Sequence, residues 1–252
     1  MSLLKNLGLK GSWGLRVPAN RVDPVPSRSM MLDPMAGLVS RDWIDGFRPG
    51  DKAQTIGCCV GRGSMNLAEV TIQMHDPGAL KTGENLDGDA LYWWIRNHYY
   101  HDQNPDGGAQ IEEGVRALVE AGVLPPDTTC QKVQTEQEDI NEALKGGPVL
   151  QGHMVDEAWQ KPSSDGKIPD EVGAYLGGHC TLLLGQWYFK DSEAEYIGGN
   201  SWGDSFGYHG MFWMGWTRYK KTCVDTWKVV VNPSSVNGWD GWRRWIIGGV
   251  KI

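Results

Sequence analysis

The chain has 252 residues, 40% of them hydrophobic and 22% charged, enough for one large domain or for two lobes sharing a cleft. A formal net charge of −7, with no basic run of five or more residues, excludes a general nucleic-acid binder. No window approaches the roughly 18 apolar residues of a membrane span.

Residues 1–40 are rich in Pro, Gly and Arg, with four prolines from Pro18 to Pro34. They read as an extended arm that wraps a body or docks on a partner. The first twenty residues hold no apolar core long enough for a secretory signal. The expectation is therefore a protein of the cytoplasm, with assembly into a larger particle such as a virion left open.

Residues 59–74, "CVGRGSMNLAEVTIQM", carry Val60, Leu67, Val70 and Met74 at helical spacing, with Ser64 on the same stripe. Gly61 and Gly63 lower the intrinsic propensity, so this helix needs close tertiary packing. Residues 87–101 predict a second helix carrying Trp93, Trp94 and Tyr99. Residues 110–121 place Ile111, Val115, Leu118 and Val119 on one face, closed by Gly122 and Pro125. Residues 137–145 predict a short helix ended by "GGP". After Pro148, "VLQGHMV", "TLLLGQWYF", "AEYIGG", "MFWMGW" and "WRRWIIGG" read as strands. The fold class is thus α+β, with a helical lobe over about 50–145 and a β lobe over about 146–252. Thirteen tryptophans and 34 glycines suit a turn-rich fold with broad aromatic packing. The Trp-rich tail after Asn237 reads as a last strand with its cover, or as a contact for a protein partner.

The five cysteines are Cys58, Cys59, Cys130, Cys180 and Cys223. Their odd number and the adjacent pair do not make a disulfide framework. There is no CxxC, so a zinc knuckle is not expected. His98, His101 and Asp102 cluster on the second helix, but an aromatic-rich helix gives a three-apart His pair a packing role. No metal or cofactor is expected.

Cys59 falls where the first helical stripe begins, and a helix N-terminus favours thiolate over thiol. A thiolate nucleophile needs an imidazole, and the imidazole needs a group to orient it. "YLGGHCTLLLG" puts His179 just before an apolar strand, with His179 and Thr181 on one face and Cys180 and Leu182 on the other. Asn200 follows after one more strand, and its amide oxygen can accept from the imidazole N–H. Trp202 would cover that bond.

"GGHCTLLLG" followed by "YIGGNSWGDSFGYHGMFWM" resembles the His and Asn segments of papain-like cysteine peptidases. "QTIGCCVGRGSMNLAE" resembles that family's Gln…Gly-x-Cys segment and its helix. The order Cys59, His179, Asn200 matches, with separations of 179 − 59 = 120 and 200 − 59 = 141 residues. The resemblance spans roughly Gln54 to Trp216. It implies two lobes with an active-site cleft between a helical lobe and an antiparallel β-barrel-like lobe. It also implies a Cys59–His179–Asn200 triad, an oxyanion hole from Gln54 and the Cys59 amide, and a peptide or protein substrate. Val60 stands where well-known members have Trp, and Ile56 where they have a disulfide cysteine. Gln54 is one residue nearer the cysteine than usual, and no long inhibitory propeptide precedes the body. These departures point to a divergent branch like the papain-fold proteins of bacteria and their viruses. Two other readings remain beside peptide hydrolysis: a catalytically silent structural component of an assembly, and an amidase acting on cell-wall peptides.

Overall fold

The computed structural model describes residues 43, 46–47, 54–81, 83–188 and 194–247. The arm predicted for 1–40 lies outside the described residues.

Helix α1 (Cys59–His75) forms despite two glycines in its first turns because nothing larger fits there. A Cβ on Gly61 would stand 2.4 Å from the Gly88 carbonyl oxygen, and one on Gly63 would stand 2.8 Å from Cys180 Sγ. The glycines therefore let α1 press on the next helix and on the sheet at once. Helix α2 (Gly88–Ile95) is capped by Asp87, whose carboxylate accepts from the Ala90 amide at 2.9 Å. It passes directly into a π-helical turn, Arg96–Tyr100, that ends on His101 at φ 55°. Helix α3 (Ile111–Glu120) opens with a capping box between Gln110 and Glu113 and is released by Gly122 at φ +69°. Helix α4 (Gln137–Gly146) stops at Gly147.

The strands are β1 (Thr129–Lys132), β2 (Val149–Asp156), β3 (Tyr175–Tyr188), β4 (Ala194–Gly199), β5 (Met211–Gly215) and β6 (Cys223–Val230). They make one antiparallel sheet in the order β1-β6-β2-β3-β4-β5. The expectation of a barrel-like lobe is corrected here: the sheet is open. Its edge strands, β1 and β5, are four and five residues long and have four other strands between them.

Each face of the sheet covers its own core. Cys180, Leu182 and Leu184 of β3 and Leu150 of β2 join α1, α2 and α3 in one cluster. Leu183, Val149 and Val155 point the other way, into a cluster with α4, Trp159, Trp202, Phe212 and Tyr219. The alternation predicted for β3 is thus present, although the strand starts four residues before His179 rather than after it. Helix α5 (Trp216–Thr222) carries Arg218, fully buried and paired with fully buried Asp156 at the end of β2. Arg218 also donates to the carbonyls of Pro169 and Glu171, at 2.6 Å each. The Gly173 amide donates to Asp156 at 2.7 Å. This pair therefore ties down the loop that leads into β3.

The tail departs from expectation. After a short helix, α6 (Pro233–Val236), the first half of the segment read as the strand "WRRWIIGG" lies in a 3₁₀ turn, Gly241–Trp245, Ile246 makes an isolated antiparallel bridge with Leu86, and the last two glycines lie outside the described residues. Trp239, Trp242 and Trp245 are three apart, which is the 3₁₀ repeat and not the strand repeat. Trp239 Nε1 donates to the Val123 carbonyl at 3.0 Å, and the Asp87 amide donates to the Trp245 carbonyl at 2.6 Å. The tail straps the helical side of the molecule. Among the described residues, no helix is long and apolar enough to cross a membrane.

Candidate active site

The site lies where the N-terminus of α1 meets β3. Cys58 and Cys59 diverge there. Cys58 is fully buried toward α2, and its thiol donates to Asp89 Oδ1 at 3.0 Å, beside the Arg62–Asp89 ion pair. Cys59, the first helical residue, is partly exposed. The backbone amides of Cys180 and Val60 favour its thiolate form, which places its sulfur near the residue that follows His179.

His179 sits inside β3 and is 5% exposed. Its Nε2 lies 2.7 Å from Asn200 Oδ1. The same oxygen accepts from the Ser201 amide at 2.7 Å, which fixes the orientation of the Asn200 side chain. An amide oxygen can only accept, so Nε2 carries the proton and Nδ1 is left as the acceptor. Trp202 is 3% exposed and stacks on the imidazole, with centroids 4.6 Å apart and planes at 30°. Trp159 meets the same ring edge-on at 6.3 Å. Two indoles thus cover His179 and its bond to Asn200.

Gln54 reaches this cluster from the far side of the α1 junction. Its amide oxygen accepts from Ser201 Oγ at 2.7 Å, and its backbone N–H donates to the Ser201 carbonyl at 3.2 Å. The short Gln54–Cys59 spacing therefore does not separate Gln54 from the Asn200 turn. Ser201, one residue past Asn200, links Gln54 to that turn. It sits inside the quoted Asn-Ser-Trp-Gly stretch, yet its residue type alone carries no signal for the bridge.

The electrostatics differ from the expectation of a depressed thiol. Burial pushes the Cys59 thiol up, against the pull of the Cys180, Val60 and Cys59 amides. Burial also brings His179 down to about 4, partly offset by its bond to Asn200. Both shifts favour the uncharged forms, thiol and imidazole. The helix terminus is present at Cys59, but desolvation outweighs it.

His153 on β2 is paired in register with His179 on β3 and is fully buried. Its Nδ1 contacts Thr222 Oγ1 at 3.1 Å, and burial lowers it to about 3. Sequence reading gave this histidine no role. The residues read as a weak metal cluster are otherwise engaged. His98 stacks on Trp94 at 4.3 Å, His101 contacts the Asn97 carbonyl at 3.1 Å, and Asp102 pairs with Arg96. Among the described residues, no group of three His, Cys, Asp or Glu side chains could hold a metal ion.

The chain has the papain-like cysteine peptidase fold. It is similar to xylellain, a cysteine protease from Xylella fastidiosa, at 19% identity and a TM-score of 0.63, covering 88% of this chain and 96% of that one. It is also similar to the bromelain protease from Ananas comosus, solved in complex with the E64 inhibitor, at 14% identity and a TM-score of 0.59, covering 77% and 99%. The clostridial cysteine protease Cwp84 matches at 14% identity and a TM-score of 0.57, covering 78% of this chain and 59% of that one. No protein-family model and no curated protein sequence matches the chain.

Proposed function

We propose that this chain is a thiol peptidase in which Cys59 attacks a peptide carbonyl, His179 moves the proton and Asn200 orients His179. The observation that carries this reading is the 2.7 Å contact of His179 Nε2 with Asn200, together with the Cys180 amide at the Cys59 sulfur. The bond to Asn200 fixes the tautomer whose Nδ1 can take the thiol proton. In this reading the Cys59 thiol proton passes to Nδ1 before the sulfur attacks.

The sulfur then bonds to the carbonyl carbon. The charge that develops on oxygen is met by the Cys59 backbone N–H and the Gln54 side-chain amide, each such donor being worth about 3 kcal/mol. His179 returns the proton to the leaving amine, and a thioester remains. A water that loses its proton to His179 releases the acid and restores the thiol. Trp202 and Trp159 keep bulk water from the imidazole–Asn200 bond.

The test uses the full chain, a set of fluorogenic peptide amides and the epoxide inhibitor E64, followed by peptide mapping. Turnover that C59A abolishes and C58S retains, with E64 on Cys59, is the expected result. Wild-type protein that neither turns over peptides nor takes up E64 overturns the proposal in favour of a silent structural component.

A further inference from the structure

Cys180 directly follows His179 in β3, and the acyl transfer makes no use of its thiol. The alternation of the strand sends the two side chains to opposite faces. Cys180 enters the core shared with α1, while His179 meets Trp159 and Trp202 on the other side. Cys180 is 1% exposed. Its sulfur rests on the first turns of α1, since a Cβ on Gly63 would stand 2.8 Å from Cys180 Sγ. Gly63 comes four residues after Cys59. Residues four apart on a helix lie one above the other on one face, with Cβ positions about 5–6 Å apart. Helical side chains also lean toward the N-terminus, here toward Cys59. The Cys180 sulfur therefore sits on the stripe of α1 that begins with Cys59, and glycine at position 63 leaves it room.

Two further observations bring the thiols together. Cys59 packs against the cluster that contains Cys180. Burial first, then the neighbouring Cys59, hold the Cys180 thiol well above its usual range, and the Cys180 amide in turn favours the Cys59 thiolate. The other cysteines are engaged elsewhere. Cys58 donates to Asp89 on the α2 side, Cys130 donates to the Val115 carbonyl at 3.4 Å, and Cys223 belongs to the opposite core. Cys59 is partly exposed and is the thiol that a small oxidant reaches first. Cys180 lies behind it, closed to solvent.

We infer that Cys59 and Cys180 are a redox pair: a peroxide oxidises Cys59, and Cys180 closes a disulfide on it that switches the site off reversibly. The peroxide transfers one oxygen to the Cys59 sulfur as its O–O bond breaks, leaving a sulfenic acid and a molecule of water. The Cys180 sulfur then bonds to the Cys59 sulfur as the S–O bond breaks, and hydroxide leaves with the Cys180 thiol proton as a second water. Two thiols are oxidised to one disulfide, and one hydrogen peroxide is reduced to two waters. The disulfide ties up the nucleophile and also stops it short of the sulfinic acid, from which a thiol does not recover it. An added dithiol restores both cysteines. The loss of turnover rests on the peptidase reading above; the disulfide itself does not.

The experiment treats the full chain and its C180A, C180S and C58A variants with hydrogen peroxide. It reads non-reducing peptide maps, dimedone labelling of sulfenic acid at Cys59, and activity on a peptide amide before and after dithiothreitol. Each activity is referred to the same protein's untreated value. Wild type and C58A should give a Cys59–Cys180 cross-linked peptide and regain most of the lost activity with dithiothreitol. In C180A the dimedone adduct at Cys59 should rise about tenfold and the recovered fraction fall about fivefold, because the sulfenic acid has no thiol to close on. C180S keeps the size of the buried side chain and serves if C180A does not fold. No such cross-link in oxidised wild type, a Cys58–Cys59 bond in its place, or equal dimedone labelling with and without Cys180 overturns the inference. A wild type without turnover before oxidation overturns the peptidase reading instead, while mapping and labelling still decide the disulfide.

Discussion

Asn200 makes two hydrogen bonds with one oxygen, and both bear on the imidazole. One fixes the His179 tautomer, and the other, from the Ser201 amide, fixes the asparagine. N200A should therefore lower kcat by roughly 10- to 100-fold with little change in KM, which corresponds to about 1.5–3 kcal/mol for the lost bonds. Steady-state kinetics on one peptide amide reads this directly, and a fall in KM-controlled binding alone would contradict it. Ser201 acts one step further out. Its hydroxyl holds the Gln54 oxygen, so that the other end of the same amide, the NH₂, is kept in a defined direction. S201A should cost about 1 kcal/mol, roughly fivefold in kcat, and Q54A about tenfold more than that. If S201A were as damaging as Q54A, Ser201 would have to act on something besides Gln54.

Helix α1 shows how an element can form against its own propensities. Alanine is worth about 1 kcal/mol more than glycine in a helix interior. At Gly61 that gain is overruled, because a methyl group would meet the Gly88 carbonyl at 2.4 Å and the Tyr92 amide at 2.8 Å. G61A should lower the unfolding free energy by about 1–3 kcal/mol in urea titration, although it improves the local helix code. Much of the helical side could be read from sequence because apolar spacing and caps agree there, as in α3 with its Gln110–Glu113 box and Gly122 stop. Other features depend on partners that a local window does not contain. The π-turn at Arg96–Tyr100 is set by Asp102 and Gly108. Strand β6, "CVDTWKVV", lies between β1 and β2 and reads as neither a clean alternation nor an apolar run. The triad candidates were legible for a different reason. Cys59, His179 and Asn200 sit in short glycine-containing stretches, with Trp202 beside Asn200, so the surrounding residues carry the signal. His153 lacked any such setting, although it faces His179 directly.

At the scale of the whole molecule, the sheet separates two cores, and the buried histidines belong to the one lined by Trp159 and Tyr219. His153 lies 5.4 Å from Trp159 and 5.5 Å from Tyr219 between ring centroids, and His179 lies beyond Trp159. Burial first, then the nearby His179 and Arg218, hold His153 down to about 3, while His179 is at about 4. Both folded values lie below the unfolded value of about 6.5, so below that pH the unfolded chain binds more protons than the folded one. Stability is therefore complete above pH 6.5 and falls as the pH drops toward 3–4. At pH 5 each histidine costs about 1.5 pH units, or about 2 kcal/mol. H153Q keeps a donor for Thr222 but cannot titrate. Its stability at pH 7 should be lower than wild type, because an imidazole packed between two rings is lost. The loss on going from pH 7 to pH 5, however, should be smaller than in wild type by about 2 kcal/mol. Carboxylate contributions are common to both proteins and cancel in that difference. Urea titrations at the two pH values measure it, and equal losses in the two proteins would mean that His153 is already protonated, or solvated, in the folded state.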